Sequence, residues 1–75
     1  MVQGVILFPS IHFAIKAEKL AKEKGLAVKL IPVPRHFGSD CGVCLRFPWK
    51  EKDEVQSLLE AGGVKMDSVH PLPDK

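Results

Sequence analysis

Apolar residues fall in short runs broken by charged, glycine-rich and proline-rich stretches, and the spacing within each run predicts its element. Residues 4–8 (GVILF) form a continuous apolar run suited to a buried central strand. Pro9-Ser10 ends it, with Ser10 expected to cap a helix over 11–24. In that helix Phe13, Ala14, Ala17, Leu20 and Ala21 share one face, and Lys16, Lys19, Lys22 and Glu23 share the other. Gly25 stands at the expected helix end. Residues 26–31 (LAVKLI) predict a second strand. Pro32 and Pro34 cannot donate ladder hydrogen bonds, so they place it at a sheet edge or mark its end.

Residues 35–41 (RHFGSDC) carry turn chemistry. Residues 42–47 alternate as a third strand, with Val43, Leu45 and Phe47 on one face and Cys44 and Arg46 on the other. Pro48 and Trp49 close it, Trp49 as either an exposed contact or a lid on the core. Residues 51–61 predict a second helix with Val55, Leu58 and Leu59 inward. Glu51, Asp53 and Glu54 form its solvated start, where the helix dipole favours acids. Gly62-Gly63 stops it, residues 64–69 read as a fourth strand, and the proline-rich end is expected to fray.

The order β-α-β-β-α-β predicts an α+β class: a ferredoxin-like βαββαβ two-layer sandwich, sheet order 4-1-3-2, with both helices on one face. The domain is expected to span residues 1–70, leaving 71–75 as a short flexible tail. The first strand is apolar on both faces, so the face without helices is expected to be covered by a partner or a second copy in a homodimer.

At 75 residues the chain makes one domain that buries only ~60% of its unfolded surface, which excludes a large substrate pocket. The net charge is +2, from 11 Lys and Arg against 9 Asp and Glu. The cations are scattered without aromatic interleaving, which argues against nucleic acid. No apolar run approaches the ~20 residues of a membrane span, and 5–8 is too short for a signal-peptide core. A cytoplasmic protein is expected, without membrane association.

Within that compartment, two cysteines point to catalytic, redox or metal chemistry. Cys41-Gly42-Val43-Cys44 holds both. In the predicted topology the start of the third strand lies beside the ends of the first two. Cys41 is therefore expected near Ser10, His12 and the first turn of the first helix, and near Pro34-Arg35. The positive helix end and Arg35, with His12 or His36 contributing, would favour a thiolate. His70 falls at the opposite sheet edge and is excluded. The bland alternative for Cys41 is an inert loop thiol; for Cys44, an apolar filler on a strand.

A Cys-x-x-Cys pair also suggests a redox disulfide or zinc. If residues 41–44 are extended, the two Cα atoms stand ~10 Å apart, beyond the ~7 Å limit for a disulfide, unless a bulge at Gly42 brings them together. Zinc would need His12 and His36 as well, at spacings that specify no metal site. No metal and no cofactor is therefore expected.

Three segments together resemble the small bacterial family of selenium/sulfur carrier-like proteins: Ser10 to Leu20, then Val28-Lys29-Leu30-Ile31-Pro32-Val33-Pro34-Arg35, then Ser39-Asp40-Cys41-Gly42-Val43-Cys44-Leu45-Arg46-Phe47. The resemblance implies a carrier or accessory protein rather than a classical enzyme, holding sulfur or selenium as a cysteine persulfide or selenosulfide. By position Cys41 is the carrier thiol, Gly42 its close backbone neighbour, and Pro34 and Arg35 the basic wall beside it. Its partners would be a donor and an acceptor of the element. Two other readings stay open. One is a thiol redox or metal-binding module using Cys41 and Cys44 together; the other is a non-catalytic interaction or dimerisation domain.

Overall fold

The computed structural model describes residues 2–33 and 42–72. The chain runs β1 (Gln3–Leu7), α1 (Ile11–Glu23), β2 (Lys29–Pro32), β3 (Val43–Pro48), a 3-10 turn (Trp49–Glu51), α2 (Lys52–Ala61) and β4 (Ser68–Pro71). It is an α+β protein with one antiparallel four-stranded sheet, ordered β2-β3-β1-β4; read from the other edge, the same sheet runs 4-1-3-2. β1 and β2 both run antiparallel to β3, and β4 runs antiparallel to β1. β2 lies at an edge and ends on Pro32, where a missing N–H costs no central ladder bond.

One layer of the core lies between the sheet and both helices. Ile6, Phe8, Leu45 and Phe47 from the sheet side pack with Ala14, Ala17 and Ala21 of α1 and with Val55 and Leu59 of α2. The alanines bring α1 close to the strands, and Phe13 and Leu20 fill its flanks. Both helices end alike. Leu26 N–H and Gly25 N–H donate to the Ala21 and Lys22 carbonyls; Val64 N–H and Gly63 N–H donate to those of Leu59 and Glu60. This is the Schellman pattern, which satisfies the last helical carbonyls and turns an apolar residue back onto the core.

Trp49 is a lid. It is partly buried against this core, its ring stacks on Phe47 with centroids 5.9 Å apart, and Lys52 Nζ lies 5.6 Å from its centroid. Gly4 is buried beneath it. A Cβ built there would overlap the Trp49 ring and come to 2.9 Å from Phe47 Cζ. Gly4→Ala is therefore expected to cost ~1–3 kcal/mol, the usual range for overpacking, read as a lower urea midpoint at an unchanged m-value.

The opposite face of the sheet corrects one expectation. Val5 and Cys44 are 0% exposed and Leu7 3%, and Ile31, Val33 and Leu72 pack against them. Val33 follows β2 and Leu72 follows β4, so each edge sends one apolar side chain toward the middle. Val33 N–H donates to the Gly42 carbonyl at 3.2 Å and Leu72 N–H to that of Gln3 at 2.7 Å. The apolar outer side of β1 is thus buried within one chain and gives no reason to invoke a second copy.

Three boundaries also differ from the sequence reading. The fourth strand is Ser68–Pro71 rather than 64–69, because Val64 is consumed in ending α2. Pro71 is a strand residue and Leu72 is hydrogen-bonded, so the expected fraying does not begin at residue 70 or 71. The 3-10 turn ahead of α2 folds Glu51 inward; its Oε1 is buried, with no hydrogen-bond partner among the described residues, instead of being solvated.

Candidate functional site

Cys41 lies outside the described residues, as do Pro34, Arg35, His36, Ser39 and Asp40. The frame on either side of them is described. β1 and β2 run to the same end of the sheet, where β3 and β4 begin. The register pairs Leu7 with Cys44, Pro32 with Val43 and Leu7 with Ser68. The chain leaves this end at Val33 and re-enters at Gly42, and those two residues share a backbone hydrogen bond. Asp67 N–H closes the same end onto the Leu7 carbonyl at 2.7 Å.

Ser10 and His12 also stand at this end, since β1 runs through Pro9 into α1. Ser10 occupies the N-cap position with extended backbone (φ −152, ψ 161), but its hydroxyl makes no capping hydrogen bond. That departs from the role expected for it. The first turn of α1 carries no acidic side chain either. Among the described residues, the positive helix end is thus offset by neither a side-chain cap nor an acid of its own first turn. His12 is exposed on that turn.

Gly42 has φ +85, a conformation that side-chain-bearing residues rarely adopt, and among the described residues nothing comes within 4 Å of a Cβ built there. The extended geometry considered for residues 41–44 therefore fails at Gly42: the backbone turns immediately before β3. Beyond the turn, Val43, Leu45 and Phe47 face the helices while Cys44 joins Val5 and Leu7 on the other side, as the alternation predicts. Burial shields the Cys44 thiol from solvent-borne reagents.

Among the described residues no group of three or more His, Cys, Asp and Glu side chains is placed to hold a metal ion. His70 lies on β4, at the edge opposite β2, and its Nε2 shares a 2.9 Å hydrogen bond with Ser68 Oγ. No described helix is long and apolar enough to cross a membrane.

One arrangement escapes the sequence. The register sets Lys29 opposite Arg46, Arg46 opposite Val5 and Val5 opposite His70, in a single row across the sheet. The three polar residues are distant in sequence, and only strand pairing aligns them.

No curated protein and no solved structure matches the chain. A family model described as "Putative Se/S carrier protein-like" matches residues 3–71, from the first residue of β1 to the last of β4. With the whole described sheet and both helices inside that match, the chain belongs to the Se/S carrier protein-like family.

Proposed function

We propose that this protein carries sulfur or selenium on Cys41, on a ferredoxin-like frame. What carries the reading is the family match over residues 3–71. The frame is supported by the β-α-β-β-α-β order and by both helices sharing one core with the sheet. The choice of Cys41 is supported by the burial of Cys44, which withdraws the other thiol from exchange with another protein.

In the loading step the Cys41 thiolate attacks the terminal sulfur of a donor persulfide. The new Cys41 S–S bond forms as the donor's S–S bond breaks, and the donor sulfur leaves with the electron pair as a thiolate. In delivery an acceptor nucleophile attacks the terminal sulfur and Cys41 leaves as a thiolate, with no net oxidation in either exchange. A selenosulfide follows the same course with selenium as the terminal atom. The uncapped N–H groups of α1, with Ser10 and His12 beside them, stabilise anionic sulfur at this end of the sheet, and Pro34 and Arg35 form the adjoining wall.

The protein serves donor and acceptor partners as an accessory carrier, and its sheet leaves no apolar outer face on β1 that requires a homodimer. A redox or metal module built on both cysteines is disfavoured, because Cys44 is fully buried on the sheet. The test is intact-mass analysis after incubation with a cysteine desulfurase and cysteine. One added sulfur that is released by a thiol reductant is expected. Loading that persists undiminished in Cys41→Ala would refute the assignment.

A further inference from the structure

We propose that Ile11 and Ile15, on the outer face of α1, seat in an apolar groove of the protein that loads Cys41 and hold the two proteins together during the exchange. The partner's role rests on the carrier reading; the surface is argued from the fold.

Ile11 is 46% exposed and Ile15 53%. Neither belongs to either core cluster, so the described core makes no use of them. Four residues apart on a helix, their side chains are neighbours and form one ridge, with ~5–6 Å between Cβ atoms. The rest of α1 follows the rule for a surface helix. Ala14, Ala17 and Ala21 are buried, and Lys16, Lys19, Lys22 and Glu23 are exposed. The exposed positions of α2 are Asp53, Glu54, Ser57, Glu60 and Ala61, with no large apolar side chain among them. A β-branched residue also loses χ1 freedom in a helix, so isoleucine at two exposed positions does not serve the helix itself. The ridge matches the i, i+4 anchors with which a helix enters an apolar groove.

The place of the ridge picks the partner. α1 begins at the end of the sheet where the chain re-enters at Gly42. Ile11 is its first residue, and Ile15 stands one turn on, ~6 Å along the axis at ~1.5 Å per residue. The third exposed large apolar residue, Val2, precedes β1 and lies at the opposite end. Transfer from a protein persulfide needs the reacting sulfurs ~3–3.5 Å apart, which brings the donor's surface against the end that holds the ridge. A second copy of the chain fits less well. Two half-exposed isoleucines offer on the order of 200 Å², against the ~800 Å² per partner of a standard stable interface. That area suits a contact that forms and releases with each transfer.

The test uses the full chain, labelled at its isoleucine methyls, and a cysteine desulfurase whose active-site cysteine is alkylated so that no sulfur moves. Saturable methyl shifts at Ile11 and Ile15 are expected. They should persist as salt rises from ~0.1 M to ~1 M, because screening weakens charge pairing and not apolar burial. The double variant Ile11→Gln with Ile15→Gln should bind at least tenfold more weakly. Its melting temperature should be unchanged or higher, because glutamine is the better helix former at an exposed position. With active enzyme and cysteine, the variant should load at least tenfold more slowly at sub-saturating concentration; from inorganic polysulfide it should load at the wild-type rate. The proposal is overturned if the shifts map elsewhere, or if the variant loads from the enzyme as fast as the wild type. It is overturned equally if the variant is slowed as much with polysulfide, which marks lost chemistry and not lost docking. Contacts from Phe37, which lies outside the described residues, to both methyls in the free protein would overturn it too, as would methyl shifts that depend on protein concentration alone, the mark of a second copy. A wild type that binds the alkylated enzyme through these methyls but never loads overturns the carrier reading and not the docking surface.

Discussion

Phe47→Ala is expected to remove a third or more of the chain's stability and to move its urea midpoint far below that of the wild type. Phe47 is fully buried, belongs to the main core cluster and is stacked against Trp49. Emptying a site of this kind costs ~3–5 kcal/mol, through lost transfer energy plus the cavity left behind. At ~0.05–0.15 kcal/mol per residue, a chain of this length has only ~4–11 kcal/mol in total. The cavity cannot close cheaply. β3 is held on both sides, by β1 and by β2, so the backbone under Phe47 cannot move inward without breaking a ladder. Trp49 would lose its floor and Lys52 its place over the ring. Circular dichroism against urea is the measurement. A cooperative transition with a midpoint near that of the wild type would refute the account of Trp49 as a lid over Phe47 and Gly4. Phe47→Leu, which keeps most of the buried volume, should fold with a smaller loss and shows that the defect is one of packing.

Much of this packing was legible in the sequence because it is local. The alternation of Val43, Leu45 and Phe47 against Cys44 and Arg46 follows from the period of a strand, and the structure keeps both faces as predicted. The spacing of Ala14, Ala17 and Ala21 likewise named the inner face of α1. Errors arose where one signal served two uses. Val64 and Met66 alternate as a strand would, yet Val64 ends α2 and both pack on the main core. The true β4, Ser-Val-His-Pro, has no apolar pattern because it is an edge strand with only its pairing to define it. Ser10 has a good capping residue type and the right backbone, but its hydroxyl is not used.

The surface of the sheet divides in the same way. The topology that brings the ends of β1 and β2 to the start of β3 could be argued from element order, so the neighbourhood of Gly42 was predictable. The Lys29–Arg46–His70 row could not be. Its alignment depends on the register of three strand pairs, and a shift of one residue in any of them would send a member to the helix side. The burial of Val5 and Leu7 within one chain was equally hidden. It depends on single residues, Val33 and Leu72, that follow the two edge strands and carry no periodic signal.

In the native protein, one thiol is expected to react with iodoacetamide within minutes while the other resists for as long as the fold persists. Cys44 is 0% exposed in the cluster with Val5 and Leu7, so a reagent reaches it only through opening of the sheet. Where opening requires global unfolding, protection equals the unfolding constant, ~10³ or more for a domain stable by ~4 kcal/mol. Cys41 is proposed to stand beside an uncapped helix end, where a thiolate is favoured and reaction is fast. Intact-mass time courses should therefore show a single rapid adduct, absent in Cys41→Ala and retained in Cys44→Ala. Sulfur loading should follow the same division: abolished by the first substitution, kept by the second. Cys44→Ala is also expected to lower stability by ~1 kcal/mol, because it removes a buried group that packs as a small apolar side chain. A deficit in loading larger than the unfolded fraction explains would mean that Cys44 takes part in the chemistry and that transfer uses both cysteines. Two equally rapid adducts in the folded wild type would contradict the buried position of Cys44, and with it the assignment of the exchange chemistry to Cys41 alone.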